Sequence, residues 1–513
     1  MPTNPGPDRA NQGGNMRSNG HRRASIAVTI IAGLVAPMAS LSAAAAPAAP
    51  SVRLVAGGDE VTIVRRKPYP VPLNVGVFAA AVNGALEIRA SRPDYDTPVS
   101  VERWIDGGAT IEPWPADTVT DWRGLTGFLR ITVRKDNGRV VLDEYTDFCP
   151  AMYGGQRVDD AGPLTQTYPM YGCGGYTPFV LGNVWGIDEG WAVPAVGSDY
   201  YYYYDSGYTP YLDAKDGHYN VEVTITPTYT DLLGISSADR TVTVGFTVDT
   251  NRRCRRMCLR PAPRVPVTGE APTQPFDHAP VISVPDPATL PDLIPLPAFA
   301  MGVGRRGRDS RDWLSFGANL WNAGPGNLVV EGYRQPGEDV MDAWQYFLTA
   351  DGAVTGKAAA GRLEYDTRDG HDHWHFRQFA TYQLLDSDKQ KVVRSKKEAF
   401  CLAPTDAIDT TRPNAVWIPY SVGLYSACGG PNALWTRENL DVGWGDTYYQ
   451  GLPGQSFNIT DLPNGRYFVA VIANPKDKLL ESNTSNNVSL RRIFLRGTSG
   501  HRYVVVPSYH GID

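Results

Sequence analysis

Three histidines alternate along one short stretch, Gly370-His371-Asp372-His373-Trp374-His375. The chain has eight histidines in 513 residues, so three at i, i+2 and i+4 form a concentrated cluster. On an extended strand this spacing turns all three imidazoles to one face. Imidazole nitrogen suits copper, zinc, iron and nickel. Three neutral ligands leave coordination positions open for water, oxygen or substrate, as catalytic metal sites require. The bland alternative is a polar cluster or a pH-sensitive surface.

Two further stretches carry reactive side chains. One is Lys396-Lys397-Glu398-Ala399-Phe400-Cys401-Leu402 and the other is Trp444-Gly445-Asp446-Thr447-Tyr448-Tyr449. Taken singly, a lysine pair reads as a solvated strand edge and a tyrosine pair as ordinary β-protein composition. In this order, His-x-His-x-His, then Lys-x-x-x-Cys-Leu, then Asp-Thr-Tyr resembles the catalytic domain of lysyl oxidases. The resemblance covers roughly residues 290–507, with Trp321-Asn322-Ala323-Gly324 upstream and Glu481-Ser482-Asn483-Thr484-Ser485-Asn486-Asn487 near the end.

That resemblance implies Cu(2+) held by His371, His373 and His375. It also implies a lysine tyrosylquinone made from Lys397, four residues before Cys401, and Tyr448, the close of the Asp-Thr-Tyr triplet. Asp446 becomes the candidate base. The expected reaction oxidises a primary amine or a protein lysine with molecular oxygen, giving an aldehyde, ammonia and hydrogen peroxide. Lys397 must then lie near Tyr448 and present a neutral amine, which burial favours. The animal enzymes of the family carry more cysteines, one of them inside the histidine cluster, where this chain has Asp372 and Trp374. Two other readings remain open: a different three-histidine metalloenzyme, such as a dioxygenase or hydrolase, and a non-catalytic extracellular β-sandwich binding module.

The elements that must position these residues read as strands. Helical periodicity is scarce, and short alternating segments bounded by Gly, Pro, Asp and Asn recur throughout. The fold expectation is all-β, with two β-sandwich-like domains. A weak repeat supports it. Asp216-Gly217-x-Tyr219-x-Val221-x-Val223 followed by Pro227 matches Asn464-Gly465-x-Tyr467-x-Val469-x-Val471 followed by Pro475. Between the two copies, prolines at 261, 263, 266, 272, 275, 280, 285, 287, 291, 295 and 297 forbid a central strand or helix. The expected layout is a signal peptide at 1–46, an N-terminal β-rich domain of unknown role at 47–258, and a Pro-rich linker at 259–289. The oxidase-like domain follows at 290–507, with a tail at 508–513.

Arg17, Arg22 and Arg23 precede the apolar run Ala24 to Leu41 and the small residues Ser42 to Ala46, the grammar of an export signal. A secreted protein without stable membrane insertion after cleavage is expected. Six cysteines in such a chain read as disulfides, and proximity favours Cys149–Cys173, Cys254–Cys258 and Cys401–Cys428. The net charge of -6 argues against nucleic acid as a partner and leans toward cationic ones. Gly302-Val303-Gly304-Arg305-Arg306-Gly307 matches G-x-G-x-x-G but lacks the strand-to-helix context of a dinucleotide site. Tyr200 to Tyr204 reads as a strand or loop with alternate rings buried.

Overall fold

Alternating burial follows the sequence pattern closely. In the computed structural model, the described residues are 48–512, apart from 66–68, 153, 160–161, 170–172, 174–176, 197–209, 251–275, 277, 306–310, 368–372, 396, 398 and 420–427. The expected signal peptide, Tyr200 to Tyr204, Cys254, Cys258 and His371 lie outside the described residues.

The all-β expectation is borne out. Strands account for nearly all regular structure, and one α-helix, Pro227–Leu233, stands among the described residues. In the first half, a five-stranded sheet runs in the order Glu60–Val64, Thr241–Asp249, Gly217–Ile225, Leu125–Lys135, Val140–Phe148. Its inward residues, among them Ile131, Val133, Val221, Val223, Val244 and Phe246, join one core with two four-stranded sheets.

The second half is built on a six-stranded sheet. Its order is Ala399–Phe400, His373–Arg377, Val354–Asp366, Val340–Leu348, Leu328–Tyr333, Trp435–Leu440. Trp444–Tyr448 belongs to a neighbouring sheet, between Trp313–Asn322 and Asp406–Ala407. A five-stranded sheet containing Ala380–Leu385 and Gly465–Ala473 completes the enclosure. Leu363, Trp374, Phe376, Phe400, Tyr448, Val469 and Val471 share the resulting core.

The two copies of the repeat fold alike. Gly217–Ile225 and Gly465–Ala473 each pair antiparallel with the next long strand, Thr241–Asp249 and Val488–Thr498. Tyr219 Oη donates to Lys215 O at 2.8 Å, and Tyr467 Oη donates to Pro463 O at 2.8 Å. The same tyrosine therefore pins the same turn twice. The copies diverge afterwards, because Pro227 opens a helix and Pro475 does not.

Ala48–Asp513 forms one compact unit. Leu181 N–H donates to Ile408 O at 2.8 Å and Thr410 N–H donates to Gly182 O at 2.9 Å. The first half thus braces the segment that pairs with Trp444–Tyr448. The end of the proline-rich stretch is docked as well: Phe276 N–H donates to Glu331 Oε2 at 2.8 Å, and Lys357 N–H donates to Pro280 O at 2.8 Å. Among the described residues, no helix is long and apolar enough to cross a membrane.

Candidate active site

Strand alternation places the candidate residues. Along Trp444–Tyr448, the residues Trp444, Asp446 and Tyr448 point to one side, and Tyr448 enters the core there. Its hydroxyl donates to Cys401 O at 2.9 Å, and Phe400 meets its ring edge-on at 5.0 Å between centroids. Gln455 Nε2 holds both the Tyr448 carbonyl and the Tyr382 hydroxyl at 3.3 Å.

Lys397 approaches this ring from the segment just before Ala399–Phe400. Its Nζ lies 3.9 Å from the Tyr448 ring centroid and 5.0 Å from that of Phe400. The residue is 1% exposed. Its backbone N–H donates to Ser395 Oγ at 3.1 Å, and Ser395 Oγ in turn donates to the Gly454 carbonyl. Gly454 has φ +86°, and a Cβ added there would sit 2.7 Å from Lys397 Cβ. Only glycine meets both demands at this position.

The electrostatics around the pair are dominated by buried acids. Burial pushes the Asp446 carboxyl well above the ordinary carboxylate range, against the pull of nearby Lys397 and of the Tyr448 hydroxyl; Asp406 adds to the rise. Burial, reinforced by Asp446, likewise raises the Tyr448 phenol well above its usual value. Glu438 is also raised well above the carboxylate range by burial, partly offset by the Leu402 N–H, while Asp446 adds to it. A carboxyl in this state can hold a proton near neutrality.

His373 and His375 are brought together. Their Nε2 atoms lie 2.9 Å apart and their rings are nearly perpendicular, at 78°. Converging imidazole nitrogens of this kind could hold a metal ion between them. His375 Nδ1 faces Asp366 Oδ2 at 3.3 Å, the carboxylate–imidazole pairing that orients metal-bound histidines. Among the described residues no third histidine, cysteine or acid completes a cluster, and His371 lies outside them.

The two groups sit on opposite faces of one strand. Asp366 and Glu364 pair across from His373 and His375 and share their face, as does Arg377, which binds Glu364 at 2.6 Å. Trp374 and Phe376 alternate to the other face and pack in the core that holds Tyr448. The Cys401–Cys428 disulfide ties the groups to each other. The Cys428 carbonyl accepts the Trp374 N–H at 2.8 Å, between the two histidines, while the Cys401 carbonyl accepts the Tyr448 hydroxyl.

Sequence reasoning did not single out Asp366, Glu438, Tyr382 or Gln455. Asp366 had one usable signal: a hairpin returning through the histidine strand brings an acid five residues upstream of His371 close to that face. Arg437-Glu438 reads as a solvated charge pair, and nothing in the sequence marks it as interior.

Comparison with known proteins finds one family and several relatives. A family model described as Lysyl oxidase matches residues 348–505. Lysyl oxidase homolog 4 of Mus musculus is 33% identical over 130 residues, which is 25% of this chain and 15% of that protein. Protein-lysine 6-oxidase of Sus scrofa is 31% identical over 144 residues, 28% of this chain and 51% of that protein. Lysyl oxidase homolog 2 of Gallus gallus is 31% identical over 129 residues, again 25% of this chain and 15% of the relative. The match therefore spans about half of the shorter relative and a small part of the longer ones. The histidine pair, the lysine and the tyrosine all lie inside residues 348–505, the part of this chain that matches the lysyl oxidase family model.

Proposed function

We propose that this chain is an exported, copper- and quinone-dependent amine oxidase whose chemistry resides in residues 290–507. It converts a primary amine or peptidyl lysine, oxygen and water into an aldehyde, ammonia and hydrogen peroxide. The observation that carries this reading is the 3.9 Å approach of the Lys397 amine to the Tyr448 ring, both side chains being buried. Copper held by His371, His373 and His375 supplies redox exchange with oxygen, and a lysine tyrosylquinone made from Lys397 and Tyr448 supplies an electron sink for the amine. The converging Nε2 atoms of His373 and His375, with Asp366 behind His375, are a donor set of the kind copper takes.

The chain's own residues have separable tasks. The enclosure of Lys397 by Phe400, Tyr448 and the Gly454 backbone keeps water from the reacting centre. Cys401 O and Gln455 fix the tyrosine at both ends, its hydroxyl and its backbone. Asp446, the acid beside both Lys397 and Tyr448, would take the substrate α-proton. The net charge of -6 favours cationic amines. Export rests on the N-terminal basic and apolar pattern.

The test is amine-dependent peroxide formation by the copper-loaded chain with a panel of primary amines. Tyr448→Phe is expected to abolish it while copper stays bound. Normal turnover by that variant would rule out the quinone role.

A further inference from the structure

Glu438 lies in Trp435–Leu440, at one end of the six-stranded sheet, with Ala399–Phe400 at the other end. Its side chain nevertheless reaches that other end. Glu438 Oε2 accepts the Leu402 N–H at 2.9 Å, and the Phe376 N–H also faces the carboxyl. The sheet thus curls, and one fully buried acid links its two edges.

The Leu402 N–H and the Cys401 carbonyl are the two ends of a single peptide unit. That carbonyl is the acceptor of the Tyr448 hydroxyl, at 2.9 Å. Because a peptide unit is planar, fixing its N–H direction also fixes its C=O direction. Polarising one end strengthens hydrogen bonding at the other. We propose that Glu438 is a positioning residue for Tyr448, acting through the Cys401–Leu402 peptide to hold the phenol in the orientation that turns its ring to Lys397. This inference rests on the reading of Tyr448 as the cofactor tyrosine.

A purely space-filling role does not explain the residue. An unbranched apolar side chain of similar length would occupy the same volume without the desolvation cost of a buried acid. What Glu438 adds is an acceptor oxygen, and its 2.9 Å partner belongs to the peptide that holds the phenol. Asp446 shares the face of Tyr448 on Trp444–Tyr448 and lies beside the ring, whereas Glu438 comes from a different strand, Trp435–Leu440, and bonds the Leu402 N–H.

The test uses the full chain produced without copper. Urea midpoints are measured for the unmutated protein, Glu438→Met, Tyr448→Phe and the double variant. The midpoint shift caused by Glu438→Met is expected to shrink by roughly half or more once the Tyr448 hydroxyl is absent, since partners in one hydrogen-bond network are non-additive. Additive shifts overturn the proposal. A second arm supplies copper and oxygen and follows the Lys397–Tyr448 cross-linked peptide by mass spectrometry. Glu438→Gln keeps an acceptor oxygen and is expected to cross-link like the unmutated chain, while Glu438→Met is slowed by about tenfold or more. Should Glu438→Met not fold, Glu438→Gln decides: loss of cross-linking in that folded, copper-loaded variant overturns the proposal. Absence of cross-linking in the unmutated chain counts against the oxidase reading, and the urea cycle alone then decides the role of Glu438.

Discussion

Lys397 Nζ stands 3.9 Å from the centroid of the Tyr448 ring, inside a core where both side chains are buried. The two residues come from segments about fifty positions apart. What sets the approach is backbone: the left-handed turn at Gly454 lies directly against Lys397 Cβ.

Gly454→Ala is expected to push Lys397 away from the ring. A non-glycine residue at this φ costs about 1–2 kcal/mol, and the added Cβ overlaps Lys397. Thermal denaturation should register the destabilisation. Amine oxidation should fall by more than the loss of folded protein accounts for; activity per folded molecule equal to that of the unmutated chain would show that the placement of Lys397 is not critical.

Asp366→Asn removes the carboxylate behind His375 without changing its shape. Copper affinity should weaken by roughly 10- to 100-fold, as it does when the outer partner of a metal-bound histidine is lost. Competition with a chelator of known affinity measures it. Unchanged affinity would mean that His375 is not a ligand through Nε2.

The buried acids make stability depend on pH in a defined direction. Glu438, Asp441 and Asp446 are all pushed well above the carboxylate range, chiefly by burial. Between the unfolded value, about 4, and their raised values, the folded chain binds more protons than the unfolded one. Stability of the copper-free chain should therefore fall as pH rises from about 4 toward neutrality. Asp441→Asn, which keeps the shape of an acid paired with Asn439 at 2.8 Å, should flatten that slope. An unaltered slope in urea titrations at several pH values would contradict this.

Asp446 can accept a proton only after losing its own. The acid limb of kcat against pH should accordingly lie well above the ordinary carboxylate range, because burial raises this carboxyl. Asp446→Asn should lower kcat by about 10²- to 10⁴-fold and move KM far less. A variant whose kcat is intact would rule Asp446 out as the base.

Much of this arrangement could be read before the fold was known. Period-two burial in Gly465–Ala473 follows Tyr467, Val469 and Val471, and the strand character of His373–Arg377 follows from its alternating pattern. Lys397 is selected over Lys396 by the resemblance to lysyl oxidases, in which the lysine stands four residues before a cysteine, here Cys401. The opposite facing of the histidines and Tyr448 was not legible. Spacing fixes which residues share a face, but it does not say which face meets the core when both are covered. Glu438 was hidden for a related reason: a charged residue next to Arg437 looks solvated until the curl of the sheet brings its two edges together. The bracing of Asp406–Ala407 by the first half was also invisible, because backbone pairing between distant segments leaves no mark on either sequence.

The most direct measurement is a peptide map of the full chain produced with copper. A single species joining the Lys397 and Tyr448 peptides, absent from protein made without copper and from Lys397→Arg, is the expected result. Two separate, unmodified peptides in fully copper-loaded protein would contradict the assignment of Lys397 and Tyr448 as the cofactor pair.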